Sequence, residues 1–174
     1  MKLHVVVRGQ RPIQSPEWFA EQLAETNRHF ALLGVGFQLT SVQLLSERKA
    51  VISTPRQRDL LGRDAVRRGE LHVFLIGHLD DIDEPGERYG VHWRDRWHRS
   101  RHWGILAQDA PTWVLAHEIG HYFGLRHSDY PESIMNKRPR MHPPEEERSF
   151  ARRECASMKR SLRRMLRKRE LRTQ

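Results

Sequence analysis

The apolar and polar positions at the start of the chain predict a strand followed by a long helix. Residues 3–8 form a β-branched run bounded by turn-forming residues, which is typical of a strand. Ser15 is a suitable helix cap, Pro16 suits the first helical turn, and Gly34 ends the helical pattern. Between these limits, four apolar residues recur on one helical stripe: Phe19, Leu23, Phe30 and Leu33.

Later segments continue this alternation of strands and helices. The spacing of Val35, Phe37 and Leu39 predicts a second strand. Residues 71–76 are nearly all apolar and predict a strand buried on both faces, while residues 56–68 favour a short helix. At the end of the chain, apolar residues at three- and four-residue spacing predict an amphipathic helix: Ala151, Cys155, Met158, Leu162 and Met165.

Length and composition favour one globular domain. The chain has 174 residues, of which 37% are hydrophobic, and this is enough to build one sizeable core. The apolar run at residues 5–7 is too short for a signal peptide or a membrane span. We therefore expect a monomer without a membrane span, cytoplasmic by default unless the chain is a processed fragment.

The net charge of +9 is concentrated at the end of the chain. Residues 151–174 contain ten Lys or Arg residues and only two acidic ones. Such a segment can attract nucleic acid or an anionic membrane. Because it has no aromatic residue for base stacking, a solvated helical face is favoured, and nucleic-acid binding is the alternative.

The composition also limits the kinds of metal site. Cys155 is the only cysteine, so neither an intrachain disulfide nor a zinc site built from cysteines can form. Any metal must be held by histidine or carboxylate side chains. The acidic cluster within residues 80–87 offers oxygen ligands to Ca²⁺ but lacks EF-hand spacing, so a solvated loop is favoured over a calcium site.

The sequence HEIGHYFGLRH at residues 117–127 carries the chemistry. On a helix, His117 and His121 lie about 40° apart and therefore share a face. Gly124 tolerates the left-handed conformation that would end the helix and let His127 supply a third nitrogen. Three imidazoles leave the fourth position of a zinc ion open to water, which is the pattern of a catalytic site.

The same helix would carry a general base beside the metal. Asp109 and Pro111 predict its start, and the pattern continues through Tyr122. Glu118 lies about 100° around the helix from the first histidine, close to the metal without binding it. Its carboxylate can accept a proton from water that zinc has made more acidic, and can return it to the leaving amine.

These residues resemble the metzincin clan of zinc-dependent endopeptidases, whose long motif is followed by a methionine turn. Met135 stands eight residues after His127, in the place of the turn methionine, and Ser128 with this short spacing is most similar to the matrixins. The resemblance implies a catalytic glutamate and three ligands to one Zn²⁺: Glu118, and His117, His121 and His127.

The resemblance covers roughly residues 3–144 and implies an α/β, zincin-like fold. Its parts are a twisted, mostly parallel sheet with one antiparallel edge strand near 89–93, a strand near 103–108, a long backing helix, the active-site helix, the Met-turn and a C-terminal helix. Residues 1–150 would form the catalytic domain, with residues 151–174 as a basic helix packed on it. Extended substrate would pair with the edge strand.

The segment after Met135 departs from the matrixin pattern. Asn136 and Lys137 replace the usual Tyr-Pro, and Lys137 stands where other metzincins carry a zinc-directed tyrosine, so we expect no such ligand. In metzincins this segment lines the pocket for the residue after the scissile bond. Here it contains Arg138 and Arg140 as well, so a basic wall would favour acidic or polar side chains. The alternative is that these side chains point into solvent.

The leading hypothesis is a zinc metalloendopeptidase that hydrolyses peptide bonds in peptide or protein substrates. One alternative is a metalloprotease recruited to nucleic acid by residues 151–174. Another is a toxin-like or partner-binding zinc module without useful turnover, although Glu118 argues against it. No cysteine precedes the motif, so the thiol latch of many matrixins is not expected.

Overall fold

A computed structural model describes residues 1–98, 100–137, 143–144 and 147–173. Within them, the strands are β1 Lys2–Arg8, β2 Arg11–Pro12, β3 Ser41–Leu45, β4 Val51–Ile52, β5 His72–Ile76, β6 His78–Leu79, β7 Gly90–Arg94 and β8 His102–Ala107. The α-helices are α1 Pro16–Phe30, α2 Pro55–Arg63, α3 Val114–Tyr122 and α4 Arg152–Arg167.

The main sheet is mostly parallel, in the order β2-β1-β5-β8-β7, with β3 also paired to β1. Strands β3, β1, β5 and β8 run parallel, while β7 lies antiparallel to β8 at one edge. The short strands β4 and β6 form a separate parallel pair. The predicted α/β fold with a mostly parallel sheet is confirmed, and β7 is its predicted antiparallel edge strand. The two-residue strand β2 is antiparallel to β1 as well, which the sequence did not predict.

Helices cover both faces of this sheet. Val5 belongs to a hydrophobic cluster that contains Phe30 of α1 and Leu115 of α3. Val6 belongs to a second cluster, which contains Leu61 of α2. Neighbouring residues of a strand point to opposite faces, so β1 contributes to both clusters. Helices α1 and α3 therefore lie on one face and α2 on the other.

The long helix α1 begins at the predicted residue but ends at Phe30, four residues before the predicted Gly34. Ser15 Oγ accepts a hydrogen bond from the Trp18 backbone N–H at 3.2 Å, and Pro16 occupies the first turn. After Phe30 the chain continues as a short 3₁₀ turn that stops at Gly34, whose φ is +70°. The capping signals at both ends are local, and this explains why they could be recognised in the sequence.

The strand predicted at Val35, Phe37 and Leu39 is wrong. Asn27 Oδ1 accepts a hydrogen bond from the Phe37 N–H at 2.7 Å, and Asn27 Nδ2 donates to the Phe37 carbonyl at 3.0 Å. This side chain satisfies the backbone groups that a neighbouring strand would otherwise pair. The alternating apolar residues belong to an irregular segment, in which the Phe37 ring packs against Phe30. Strand β3 begins after this segment.

The motif helix α3 begins at Val114, later than the start predicted from Asp109 and Pro111. The Val114 N–H donates to the Pro111 carbonyl at 3.0 Å, within a turn that precedes the helix. Gln22 of α1 donates to the carbonyls of Ala110 at 2.8 Å and Pro111 at 3.1 Å. The chain before α3 is therefore fixed by hydrogen bonds from α1. The predicted side-chain cap at Asp109 is not formed.

A buried histidine pair joins strands β1 and β5. Both His4 and His72 are fully buried, and His4 Nε2 lies 2.9 Å from His72 Nδ1. The Arg67 N–H donates to His72 Nε2 at 3.1 Å, so His72 Nδ1 carries the proton donated to His4. Burial, followed by the charge of Lys2, lowers the pKa of His4 to about 4. Burial, followed by His4, lowers that of His72 to about 3.

We expect this pair to make the protein less stable in mild acid. An unfolded histidine takes up a proton below about pH 6.5, whereas His4 in the fold stays neutral until about pH 4, so stability falls across that interval. Each such histidine contributes a loss of about 2 kcal/mol between about pH 7 and pH 5. Urea unfolding at about pH 7 and pH 5 measures this loss of stability. The loss should shrink by that amount in His4→Gln, and an equal loss in both proteins would contradict the prediction.

Candidate metal centre

Three histidines converge where α3 and the chain that follows it meet. His121 Nε2 lies 3.1 Å from His117 Nε2 and 3.2 Å from His127 Nε2. His117 is buried, His121 is partly buried and His127 is exposed, so the cluster is open on one side. Within the described part of the chain, this is the only group of three or more metal-binding side chains that lie within reach of one ion.

Backbone carbonyls orient two of the three imidazole rings. His117 Nδ1 donates to the Ile134 carbonyl at 2.7 Å, and His121 Nδ1 donates to the Leu125 carbonyl at 2.8 Å. Donation from Nδ1 leaves each Nε2 as the unprotonated nitrogen that faces the cluster. Burial is the main cause that lowers the pKa of all three imidazoles, to about 3 for His117 and about 4 for His127. The rings are therefore neutral and able to bind a metal.

Gly124 makes the turn that brings the third histidine back. Its φ is +91°, in the left-handed region that glycine adopts without strain. The Gly124 N–H donates to the His121 carbonyl at 2.9 Å, and the Leu125 N–H donates to the Gly120 carbonyl at 3.0 Å. These bonds close the C-terminus of α3 and direct the chain towards His127.

Met135 lies directly beneath the motif helix. It is fully buried, and a Cβ built on Gly120 would lie 2.8 Å from its Sδ, so a side chain at that position would displace the sulfur. The Met135 N–H donates to Ser133 Oγ at 2.9 Å, while the preceding residue, Ile134, holds His117. Met135 is therefore packed against the helix that carries two of the histidines.

A buried carboxylate that is not predicted from the sequence holds this turn. Glu154 of α4 accepts a hydrogen bond from Ser133 Oγ at 2.6 Å and another from the Ala151 N–H at 2.8 Å. The chain Glu154, Ser133, Met135 thus links the start of α4 to the segment beside His117. A glutamate three residues after a helix cap was the available signal, but it predicts only local capping.

Glu118 lies on the motif helix between the histidines and the edge strand β7. It is only 6% exposed, and burial raises its pKa to about 8 despite a hydrogen bond from the His92 backbone N–H and the positive charges of Arg88 and Lys137. Gly90 of β7 lies against it, because a Cβ there would lie 3.0 Å from Glu118 Cγ and 3.2 Å from Oε1. Neither Gly90 nor His92 was singled out for the site from the sequence.

The residues predicted to line a substrate pocket are only partly described. Asn136 Nδ2 donates to the Tyr130 carbonyl at 3.0 Å. Lys137 is exposed, yet its charge lowers the pKa of His127, which places it near the rim of the cluster. Arg138 and Arg140 lie outside the described residues. In the acidic segment considered for calcium, Asp81 pairs with Arg88 and Asp80 with His78.

The donor set fits a zinc ion. A tetrahedral zinc with Zn–N distances of about 2.05 Å has ligand nitrogens about 3.3 Å apart, close to the two separations between Nε2 atoms found here. Neutral imidazoles held from behind by carbonyls are typical zinc ligands.

Comparisons with known proteins agree with this geometry. The sequence model of the matrixin peptidase family matches residues 83–151, which include the histidine cluster and Met135. This match covers less than half of the chain and makes residues 83–151 similar to the matrixins. No curated protein sequence matches it. The family match and the fold together support a zinc-dependent peptidase.

Solved structures with a similar fold share little sequence with this domain. An archaemetzincin from Methanopyrus kandleri superposes with a TM-score of 0.61 at 16% identity, covering 94% of this chain and 96% of the other. Metalloproteinase-II from Bacteroides fragilis gives 0.59 at 14% identity, covering 92% of this chain and 52% of the other. A zinc-dependent peptidase from Methanocorpusculum labreanum gives 0.50 at 13% identity, covering 90% and 99%.

One further property concerns membranes. In the described ranges, no helix combines the length and the apolar character needed to cross a bilayer.

Proposed function

We propose that this matrixin-like domain is a zinc-dependent endopeptidase, with His117, His121 and His127 as the metal ligands and Glu118 as the catalytic residue. The convergence of three neutral imidazole nitrogens on one point, beside a buried glutamate on the same helix, carries this proposal. A structural zinc site is filled by four protein ligands, whereas three histidines leave one position open to water beside Glu118.

The chain's own residues account for the movement of the proton. Zinc bound at this site would polarise the scissile carbonyl and make the attacking water more acidic. The Glu118 carboxylate accepts the proton of that water and delivers it to the amine that leaves. Without a metal, burial raises the pKa of Glu118, and the positive charge of a zinc ion held beside it would lower that pKa again and favour the carboxylate that accepts the proton.

Strand β7 offers a place for extended substrate. It pairs with β8 on one side and lies against α3 through Gly90 and Glu118. Its other side has no strand partner among the described residues. A peptide added to this edge would bind mainly through its backbone and would run past the histidine cluster. The proposed substrate is therefore an extended or unfolded polypeptide.

Digestion of a reduced, unfolded protein tests the proposed function. The zinc-loaded chain should cleave it at internal bonds, a chelator should stop cleavage, and added zinc should restore it. Zinc bound in stoichiometric amount without cleavage of any unfolded protein or peptide library would overturn the proposal. That outcome would favour a zinc-binding module without turnover.

Gly90 provides a prediction about the position of the general base. The Cβ in Gly90→Ala would lie 2.7 Å from Val114 Cγ1 and 3.0 Å from Glu118 Cγ, so the glutamate must move. We expect at least a tenfold loss of kcat, because a misplaced base transfers its proton poorly. Zinc content should stay the same. Gly104→Ala is the control, since its Cβ would meet only Val73 Cγ2, at 3.8 Å. Equal kcat values for both variants would contradict the prediction.

Lys137 provides a prediction about specificity. We propose that Asn136, Lys137, Arg138 and Arg140 line the pocket for the residue after the scissile bond. The influence of the Lys137 charge on His127 and Glu118 supports this. Matched peptides with Leu, Gln or Glu at that position should be cleaved with a preference for Glu or Gln. The variant Lys137→Ala/Arg138→Ala/Arg140→Ala should lose that preference several-fold. An unchanged preference for Leu in both proteins would contradict it.

A further inference from the structure

The exposed face of α4 is almost entirely cationic. Eight of the residues in Arg152–Arg167 are exposed, and seven of these are Arg or Lys, the other being Ala156. The remaining basic residues of the C-terminal segment, Lys168, Arg169 and Arg172, are exposed as well. Because an α-helix rises about 1.5 Å per residue, the cationic face is about 24 Å long.

Over the described residues, the basic side chains of this face are not paired with acidic ones, although the half-buried Glu170 and Glu70 lie near its C-terminal end. No ion pair joins any of the ten basic residues to a carboxylate among the residues that the structure describes. On the helix itself, Glu154 is buried and turned towards Ser133 and the Ala151 N–H. The charge repulsion along the helix is therefore not relieved locally, and a polyanion would relieve it.

The fold adds cations from a distant part of the sequence. The Gly69 N–H donates to the Glu170 carbonyl at 3.0 Å, and the Arg172 N–H donates to the Gly69 carbonyl at 3.1 Å. This pairing fixes the exposed Arg67 and Arg68 beside the end of α4, where Arg68 Nη2 donates to the Lys168 carbonyl at 3.4 Å. We call this surface, formed by Arg67, Arg68 and the ten basic residues of 152–172, the basic face.

We propose that the basic face binds the phosphate backbone of duplex nucleic acid without reading its sequence. A helix that binds a membrane surface inserts its apolar side, but here Met158 and Met165 on that side are buried in the protein core. Binding to single strands relies on aromatic residues that stack on bases, and residues 151–174 contain none. Closely spaced guanidinium groups without such residues match the regular phosphates of a duplex.

Fluorescence anisotropy with a labelled DNA duplex of about 20 base pairs tests this proposal. Affinity should fall steeply between about 50 and 200 mM salt and should not change when the duplex sequence is scrambled. In Arg160→Gln/Arg163→Gln/Arg167→Gln, affinity at about 100 mM salt should fall at least tenfold. The slope of log K against log salt should become shallower by about 2 to 3, because three phosphate contacts are lost.

A matched variant separates the basic face from net charge. Arg8→Gln/Arg11→Gln/Arg48→Gln removes three exposed positive charges elsewhere and should keep affinity within about threefold. Equal losses in both variants would overturn the proposal, as would no duplex binding at about 50 mM salt. Binding to phosphatidylserine vesicles but not to the duplex would also overturn it, in favour of a membrane. If the triple variant does not fold, Arg163→Gln alone should lower the slope by about 1. None of these measurements requires peptidase activity.

Discussion

Glu118→Gln should retain zinc and the native fold but lose about 10²- to 10⁴-fold in kcat, the usual contribution of general acid–base catalysis. Glutamine has nearly the same shape but cannot accept a proton. Because Glu118 is buried and packed against Gly90, an isosteric replacement should leave the edge strand in place. The measurement is kcat on a short peptide, together with the zinc content of the same sample.

The matched control is a change to another buried carboxylate. Glu154→Gln keeps an acceptor for Ser133 and the Ala151 N–H and touches no reacting atom, so we expect kcat within a few-fold of the wild type. Loss of zinc from Glu118→Gln would make Glu118 a ligand, contrary to the role proposed here. Full activity in that variant would remove Glu118 from the mechanism.

His127→Ala should lose bound zinc and all measurable peptidase activity. A catalytic zinc of this type needs three protein nitrogens, and His117 and His121 alone would bind the ion far more weakly than all three histidines do. His127 is the exposed member of the cluster and leaves intact the bonds of His117 to Ile134 and of His121 to Leu125. Loss of zinc could therefore be assigned to the missing ligand rather than to unfolding.

Zinc titration and thermal unfolding together check this result. Zinc should raise the Tm of the wild type, since a ligand that binds only the folded state stabilises it, and should leave the Tm of His127→Ala almost unchanged. His98→Ala is the control, because that side chain is 64% exposed and belongs to no metal cluster in the described residues. Stoichiometric zinc in His127→Ala at wild-type affinity would contradict the proposed ligand set.

The sequence by itself determined the chemistry of the candidate site and much of the fold. The spacing of His117, His121 and His127 sets which nitrogens can meet, because the helical repeat and the turn at Gly124 are local properties. The cap at Ser15 and the apolar strand β5 were recognisable for the same reason. The prediction failed at Phe37, where the side chain of Asn27 replaces a strand partner.

Only the tertiary structure decided what surrounds those residues. It brings Gly90 and His92 of the edge strand against Glu118, and burial there shifts the pKa of the carboxylate. It joins Glu154 to the turn at Met135 and places Arg68 beside the end of α4. These contacts link segments that lie far apart in the chain. They could not be predicted, because a sequence pattern shows the spacing of residues within one segment but not which segments come into contact. Desolvation and long-range contacts arise only when the core has formed.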